Sequence, residues 1–168
     1  ESFLAAASQR TKNIRLGHGI FQLTTNHPAR VAEKVAVLDL LSNGRCECGM
    51  GESASITELT PFGRDMETKR EVFEEAVAAI FPMFTKVGTE HHGKYFDIPL
   101  RNVVPKPVQK PHPPITIGGY GKAAVAGPEV GVPQHHSIRC PELGQRLRRP
   151  ADPHNRVAIG THRDAGGI

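Results

Sequence analysis

At 168 residues the chain has the size of one ordinary domain, and because a domain of about 150 residues hides roughly 70% of its unfolded surface, one sizeable core is expected. A hydrophobic share of 38% with 23% charged residues excludes a disordered polar chain. No apolar run nears the ~18 residues of a helical membrane span, and three cysteines, Cys46, Cys48 and Cys140, are too few and too odd for a disulfide framework. The net charge of +4 is uneven, with 11 Lys+Arg against 13 Asp+Glu in residues 1–100 and 10 against 4 in 101–168. Without interleaved aromatics or a basic run longer than Arg146-Leu147-Arg148-Arg149, that excess speaks against nucleic acid as a partner.

Residues 3–12 pass from Phe3, Leu4 and three alanines to a polar stretch, which predicts the end of a helix whose start lies before the given sequence. No basic n-region precedes a long apolar core there, so no leader is read and the cytoplasm is the expected compartment. Residues 14–23 are short and apolar with two glycines, predicting a buried first strand that another backbone or a ligand approaches closely. Pro28 suits the first turn of a helix, where its missing N–H leaves no bond unmade. Val31, Val35, Leu38 and Leu41 then build one buried stripe, and Asn43-Gly44 supplies a left-handed stop, so a helix is expected over 28–42. Residues 45–50 alternate into a second strand ending at Gly49-Met50-Gly51, followed by a loop of small and polar residues to Gly63.

Asp65 is placed to cap the next helix, whose apolar face is Val72, Phe73, Ala76, Val77, Ile80 and Phe84, with a kink expected at Pro82. Residues 88–103 predict a small hairpin or irregular excursion, with the turn at 88–93 and an extended piece at 94–98. Five prolines between 105 and 114 stiffen a connection that delivers Ile115-Thr116-Ile117 as a third strand ending in Gly118-Gly119. Residues 1–126 are read as one unit. From 127 onward closely spaced prolines forbid long elements, and 127–168 are read as a divergent, irregular tail.

The alternation of strands and helices predicts an α/β domain with parallel strands, in which ligands gather at the carboxyl ends. Those ends, near 19–23, 49–53 and 118–122, are all glycine-rich, which lets a flat ligand approach the backbone. Gly118-Gly119-Tyr120-Gly121-Lys122 follows a strand and opens an Ala-rich stretch, so its free N–H groups with Lys122 are the best phosphate cradle. Gly119-x-Gly121-x-x-Ala124 also satisfies a dinucleotide-binding pattern, although no following strand brings the acidic residue that such a site needs. Cys46 and Cys48 share one strand face as packing thiols, and neither they nor the pairs His91-His92 and His135-His136 have metal-site spacing; no metal is expected.

Gly17-His18-Gly19, His27-Pro28-x-Arg30, Leu38-Asp39-x-Leu41-Ser42-x-Gly44-Arg45, Gly49-x-Gly51, Phe62-Gly63 and Pro105-x-Pro107-x-Gln109-x-Pro111-x-Pro113-Pro114 occur in that order. Together, over about residues 3–122, they resemble the bacterial luciferase-like family of flavin-dependent monooxygenases and deazaflavin-dependent oxidoreductases. The resemblance implies a fragment of a (β/α)8 TIM-type barrel, since a complete barrel needs about 250 residues. It implies FMN, or alternatively a deazaflavin, at the strand ends, and a small organic substrate. Reduced flavin would then act with dioxygen, or a deazaflavin would pass hydride.

It also implies a cis peptide at Gly19-Ile20 behind the ring, and a loop Gly51-Glu52-Ser53 beside the ring and its tail. Glu52 departs from the basic or neutral residue of many relatives and is expected to turn to solvent or a ribityl hydroxyl, Ser53 to donate; a loop or capping role is the alternative for both. His18 is the weak catalytic candidate, with a core histidine as its alternative. A truncated non-catalytic homologue, a basic interaction module built from the tail, and association into a homo-oligomer stay open at this point.

Overall fold

The computed structural model describes residues 1–118. Helix α1 (Ser2–Arg10) leads into strand β1 (Leu16–Gln22), helix α2 (Pro28–Leu41) and strand β2 (Cys46–Gly51). A short α3 (Ile56–Leu59) and a 3-10 turn (Thr60–Phe62) precede the long α4 (Lys69–Thr85), the hairpin strands β3 (Thr89–His92) and β4 (Asp97–Arg101), and strand β5 (Ile115–Gly118). The tail from 127 and the phosphate candidates Gly119, Tyr120, Gly121 and Lys122 lie outside the described residues.

The ends of α2 follow from its sequence. Pro28 occupies the first turn, and the His27 ring accepts the Ala29 N–H at 3.2 Å as the N-cap. Asn43 (φ 54°) and Gly44 (φ 77°) turn left-handed, and the Gly44 N–H returns to Asp39 O at 2.9 Å, closing the helix. Asp65, expected to cap α4, instead caps the turn before it: its Oδ1 accepts the N–H groups of Glu67 and Thr68 at 2.9 and 2.7 Å, while Thr68 is the residue that enters the helix. α4 runs through Pro82 to Thr85.

Three parallel strands form one sheet in the order β1-β2-β5. Cys46, Cys48 and Met50 of β2, Phe21 of β1 and Ile115 of β5 all bury on one face, where they meet Val31, Val35 and Leu38 of α2 and Val72, Phe73, Ala76, Val77, Ile80 and Phe84 of α4. Both thiols are inert packing groups: burial pushes Cys46 up to about 12 and Cys48 well above its ordinary value. The parallel α/β layering is therefore as expected. The described strands form an open sheet, not a closed barrel.

The excursion at 88–103 is a hairpin, but its turn lies later than the glycines suggested. Thr89 pairs with Arg101 and His92 with Asp97, so the chain reverses over 93–96. The cause is tertiary. Glu75 of α4 offers one carboxylate to the N–H groups of Lys94 (3.0 Å), Tyr95 (3.0 Å) and Phe96 (2.8 Å), and that anchor decides where the reversal sits.

Candidate functional site

The three parallel strands finish level. Gln22 pairs with Gly51 and Gly51 with Gly118, so the glycine-laced ends stand side by side at one sheet edge. The Gly19-Ile20 peptide bond is cis. In the same stretch the register of β1 against β2 slips: His18 pairs with Cys48 but Phe21 with Met50. One extra residue is thus inserted in β1, and Ile20 is carried to the face opposite the helices.

On that face the glycines form a trough for the Ile20 side chain. A Cβ at Gly51 would strike Ile20 Cδ1 and stand 3.1 Å from Gly118 O. One at Gly49 would lie 3.2 Å from Ile20 Cγ2 and collide with the His18 carbonyl, and one at Gly118 would sit 3.5 Å from Ile20 Cγ2. Glycine at 49, 51 and 118 lets Ile20 sink against bare backbone, which keeps the floor low. Gly19 beside it is exposed, with nothing within 4 Å of where a Cβ would stand. The result is a shallow apolar floor, open above, at the carboxyl ends of the strands.

His18 does not face this floor. It shares a register position with Cys48, and its ring stacks on Phe21 at 4.0 Å and 17° on the helix side. Burial, then the positive N-terminus, lowers its pKa, with Glu1 opposing. The inserted residue in β1 carries Ile20 to the opposite face from His18, so the structure does not bring His18 together with the floor.

Glu52 and Ser53 are both engaged by neighbouring groups of the chain itself. Glu52 is only 16% exposed and pairs with Arg70 Nη1 at 3.4 Å and Lys69 Nζ at 3.9 Å. The buried Ser53 hydroxyl accepts the Ser55 N–H at 3.0 Å and donates to Glu58, which also accepts from Gln22 Nε2 at 2.8 Å. Lys69 Nζ donates to Ser53 O at 2.6 Å. This network ties the end of β1, the loop after β2 and the head of α4 into one rim. Gln22, Glu58 and Lys69 were missed from sequence because each is polar, lies in a loop or at an element end, and finds its partner only in the fold.

A second polar cluster, at the opposite ends of the strands, was also missed, although the proline-flanked Gln109 signalled it. Fully buried Asp39 accepts the backbone N–H of Gln109 at 2.9 Å and its Nε2 at 2.6 Å, and Gln109 Nε2 reaches Cys46 O at 2.9 Å. Arg45 donates to Ser42 O, Thr11 Oγ1, Ile14 O, Ser8 O and Thr11 O, locking α1 and α2 to the sheet. These groups hold the fold at the amino ends of the strands. Among the described residues no cluster could hold a metal ion and no helix is long and apolar enough to cross a membrane.

The chain is 32% identical over 117 residues to the oxygenase component of a flavin-dependent trigonelline monooxygenase from Acinetobacter baylyi, covering 68% of this chain and 32% of that protein. It is 28% identical over 130 residues to an F420-dependent glucose-6-phosphate dehydrogenase from Amycolatopsis mediterranei, covering 75% and 39%. The crystal structure of monooxygenase RslO1 from Streptomyces bottropensis superposes with a TM-score of 0.66 at 33% identity, covering 69% of this chain and 35% of that one. The chain thus spans about a third of the length of these relatives. Residues 2–127 match the family described as luciferase-like monooxygenase, and with the levelled strand ends and the Gly19-Ile20 floor in place, the chain belongs to the luciferase-like monooxygenase family.

Proposed function

We propose that the floor made by Gly19 and Ile20 backs the ring of a flavin in an oxidoreductase, foremost a monooxygenase that uses reduced FMN and dioxygen on a small organic substrate. The observation that carries this reading is the Ile20 side chain bedded among Gly49, Gly51 and Gly118, which leaves a flat apolar surface where a bulkier sequence would leave a ridge. A planar ring fits such a surface. Bound there, reduced flavin supplies the electrons that activate dioxygen, or a deazaflavin supplies hydride.

The chain's own residues bind and orient. Ile20 and Gly19 offer van der Waals contact to one ring face and exclude water from it. The Gln22-Glu58-Ser53-Lys69 network holds the rim at fixed geometry. The N–H groups of 118–121 with Lys122 would receive the anionic tail. In this reading residues 1–126 are a partial barrel wall, 127–168 are a divergent continuation, the partners are flavin and substrate in the cytoplasm, and neither nucleic acid nor membrane takes part. Hydride transfer with a deazaflavin is the second reading, favoured by the similarity to the F420-dependent dehydrogenase.

Titrating the full chain into FMN and into a deazaflavin, with flavin fluorescence as the readout, tests the proposal. Saturable quenching that survives raised salt supports it, and the tighter ligand decides between the two readings. Failure of both to bind, with salt-sensitive capture by DNA instead, would replace it with the basic interaction module.

A further inference from the structure

Thr24 follows closely on Gln22 at the end of β1, and it is 1% exposed with a hydroxyl that makes no hydrogen bond. A buried hydroxyl without a partner is rare and costly, so it points to a group that the chain itself does not provide. The carbonyl of the same residue is taken from another element: Arg64, in the loop before α4, donates its Nε–H to Thr24 O at 3.1 Å. The guanidinium carbon then lies 5.6 Å from the centre of the Phe96 ring and 5.9 Å from that of Tyr95, both at the hairpin tip. One hydrogen bond and two rings thus hold a half-buried guanidinium in place.

Among the described residues nothing uses the rest of that group. Arg64 has no carboxylate at ion-pair distance, and its Nη1 and Nη2 donate to no acceptor. Asp65, next in the chain, turns its carboxylate to the N–H groups of Glu67 and Thr68 and to the Thr68 hydroxyl. The surroundings add positive charge. His27 packs edge-on against Phe96 at 6.1 Å, and burial, then the charges of Arg101 and Arg30, lower its pKa, with Glu33 opposing. Arg30 is matched by Glu33 at 2.7 Å, whereas the Arg101 side chain donates only to Pro99 O. The hydroxyl and carbonyl oxygens of one threonine lie within about 4 Å of each other, so the unmatched hydroxyl and the unmatched guanidinium nitrogens meet at one place.

We propose that Arg64 and Thr24 form an oxyanion site at the carboxyl end of β1, where the Arg64 Nη groups take the carboxylate or phosphate group of a small molecule and the Thr24 hydroxyl donates to it. A guanidinium offers only donors, in a geometry that matches two oxygens of one anion. An oxyanion gives both unmatched donors an acceptor and sets negative charge beside Arg64, Arg101 and His27. The site requires no flavin.

The test follows the backbone amide resonances of Thr25 and Asp65 in the full chain during titration with sodium acetate and, separately, inorganic phosphate, with chloride keeping the ionic strength constant. Saturation with a dissociation constant of about 1–10 mM, the strength of one charge-assisted pair, is expected, and the tighter anion tells a carboxylate ligand from a phosphate. Arg64→Lys, which keeps the charge and loses the fork, weakens binding about tenfold. Thr24→Val weakens it about threefold while the anion-free chain melts no lower than the parent, because the hydroxyl it removes has no partner to lose. Absence of saturation with either anion, or parent-like affinity in Arg64→Lys, overturns the proposal. A Thr24→Val variant that melts lower yet binds as the parent does also overturns it, since that is the mark of a structural hydroxyl. Should Arg64→Lys not fold, the two Thr24→Val measurements decide. A chain that saturates with acetate or phosphate and binds no flavin keeps this site and loses the flavin reading, and the opposite result does the reverse.

Discussion

Gly49 and Gly51 lie two residues apart on β2 and face the same side of the sheet, yet an added methyl meets different obstacles at each. In Gly51→Ala the new Cβ strikes Ile20 Cδ1, the mobile end of a side chain, and comes within 3.1 Å of Gly118 O. Rotating Ile20 off its rotamer costs about 1 kcal/mol, so the melting temperature should fall by only about 3 °C. The displaced arm has nowhere to go but up, into the space over the floor. Intrusion of about one methylene into a flat apolar contact weakens binding by about 1–3 kcal/mol, so flavin affinity should drop roughly 10- to 200-fold.

In Gly49→Ala the obstacle is the His18 carbonyl, which is backbone of the neighbouring strand. Relief requires β1 and β2 to part, and the cost is about 3 kcal/mol or more. Thermal melts and flavin titrations of the two variants separate these effects. Equal stability losses, or a Gly51→Ala variant that binds flavin as the parent does, would refute the trough as described.

Replacing Glu75 by Gln should destabilise the chain by about 2 kcal/mol, because a carboxylate holding three backbone N–H groups becomes an amide with one acceptor oxygen. Burial raises the pKa of Glu75, but the hydrogen bonds from Phe96, Tyr95, His91 and Lys94 outweigh it and the net shift is downward. A depressed folded pKa means stability that is present above the unfolded carboxyl pKa and lost as pH falls through the folded one. The gap between parent and variant in denaturant melts should therefore close on acidification below about pH 4. Asp39→Ala removes the acceptor of the Gln109 backbone N–H and one of the two acceptors of its Nε2, which keeps Cys46 O, and should cost about 2 kcal/mol. A double-mutant cycle with Gln109→Ala should show coupling above about 1 kcal/mol, and additive losses would mean the pair does not interact. His18→Phe should keep flavin affinity within about twofold, as a ring stacked on the helix side requires. It should also remove a stability loss below about pH 6.5, since a histidine with a lowered folded pKa favours the fold when neutral and loses that contribution as pH falls.

Local physics made much of this molecule legible in its sequence. Pro28, the Val31-Val35-Leu38 stripe and Asn43-Gly44 carry the start, buried face and stop of α2 within themselves, because propensity, amphipathic spacing and left-handed backbone are properties of neighbours in the chain. The glycine-bounded apolar runs likewise announced three parallel strands. What tertiary structure alone decided depends on partners remote in sequence. Which face His18 and Ile20 occupy turns on one inserted residue in β1 relative to β2, and a shift of one residue exchanges the two faces of a strand. The place of the hairpin turn was settled by Glu75 on another element, the pairing of Glu52 by the head of α4, and the clamp between Asp39 and Gln109 by a contact across the connection that leads into β5. Each is a polar group with several chemically acceptable partners, and only the packed arrangement selects among them.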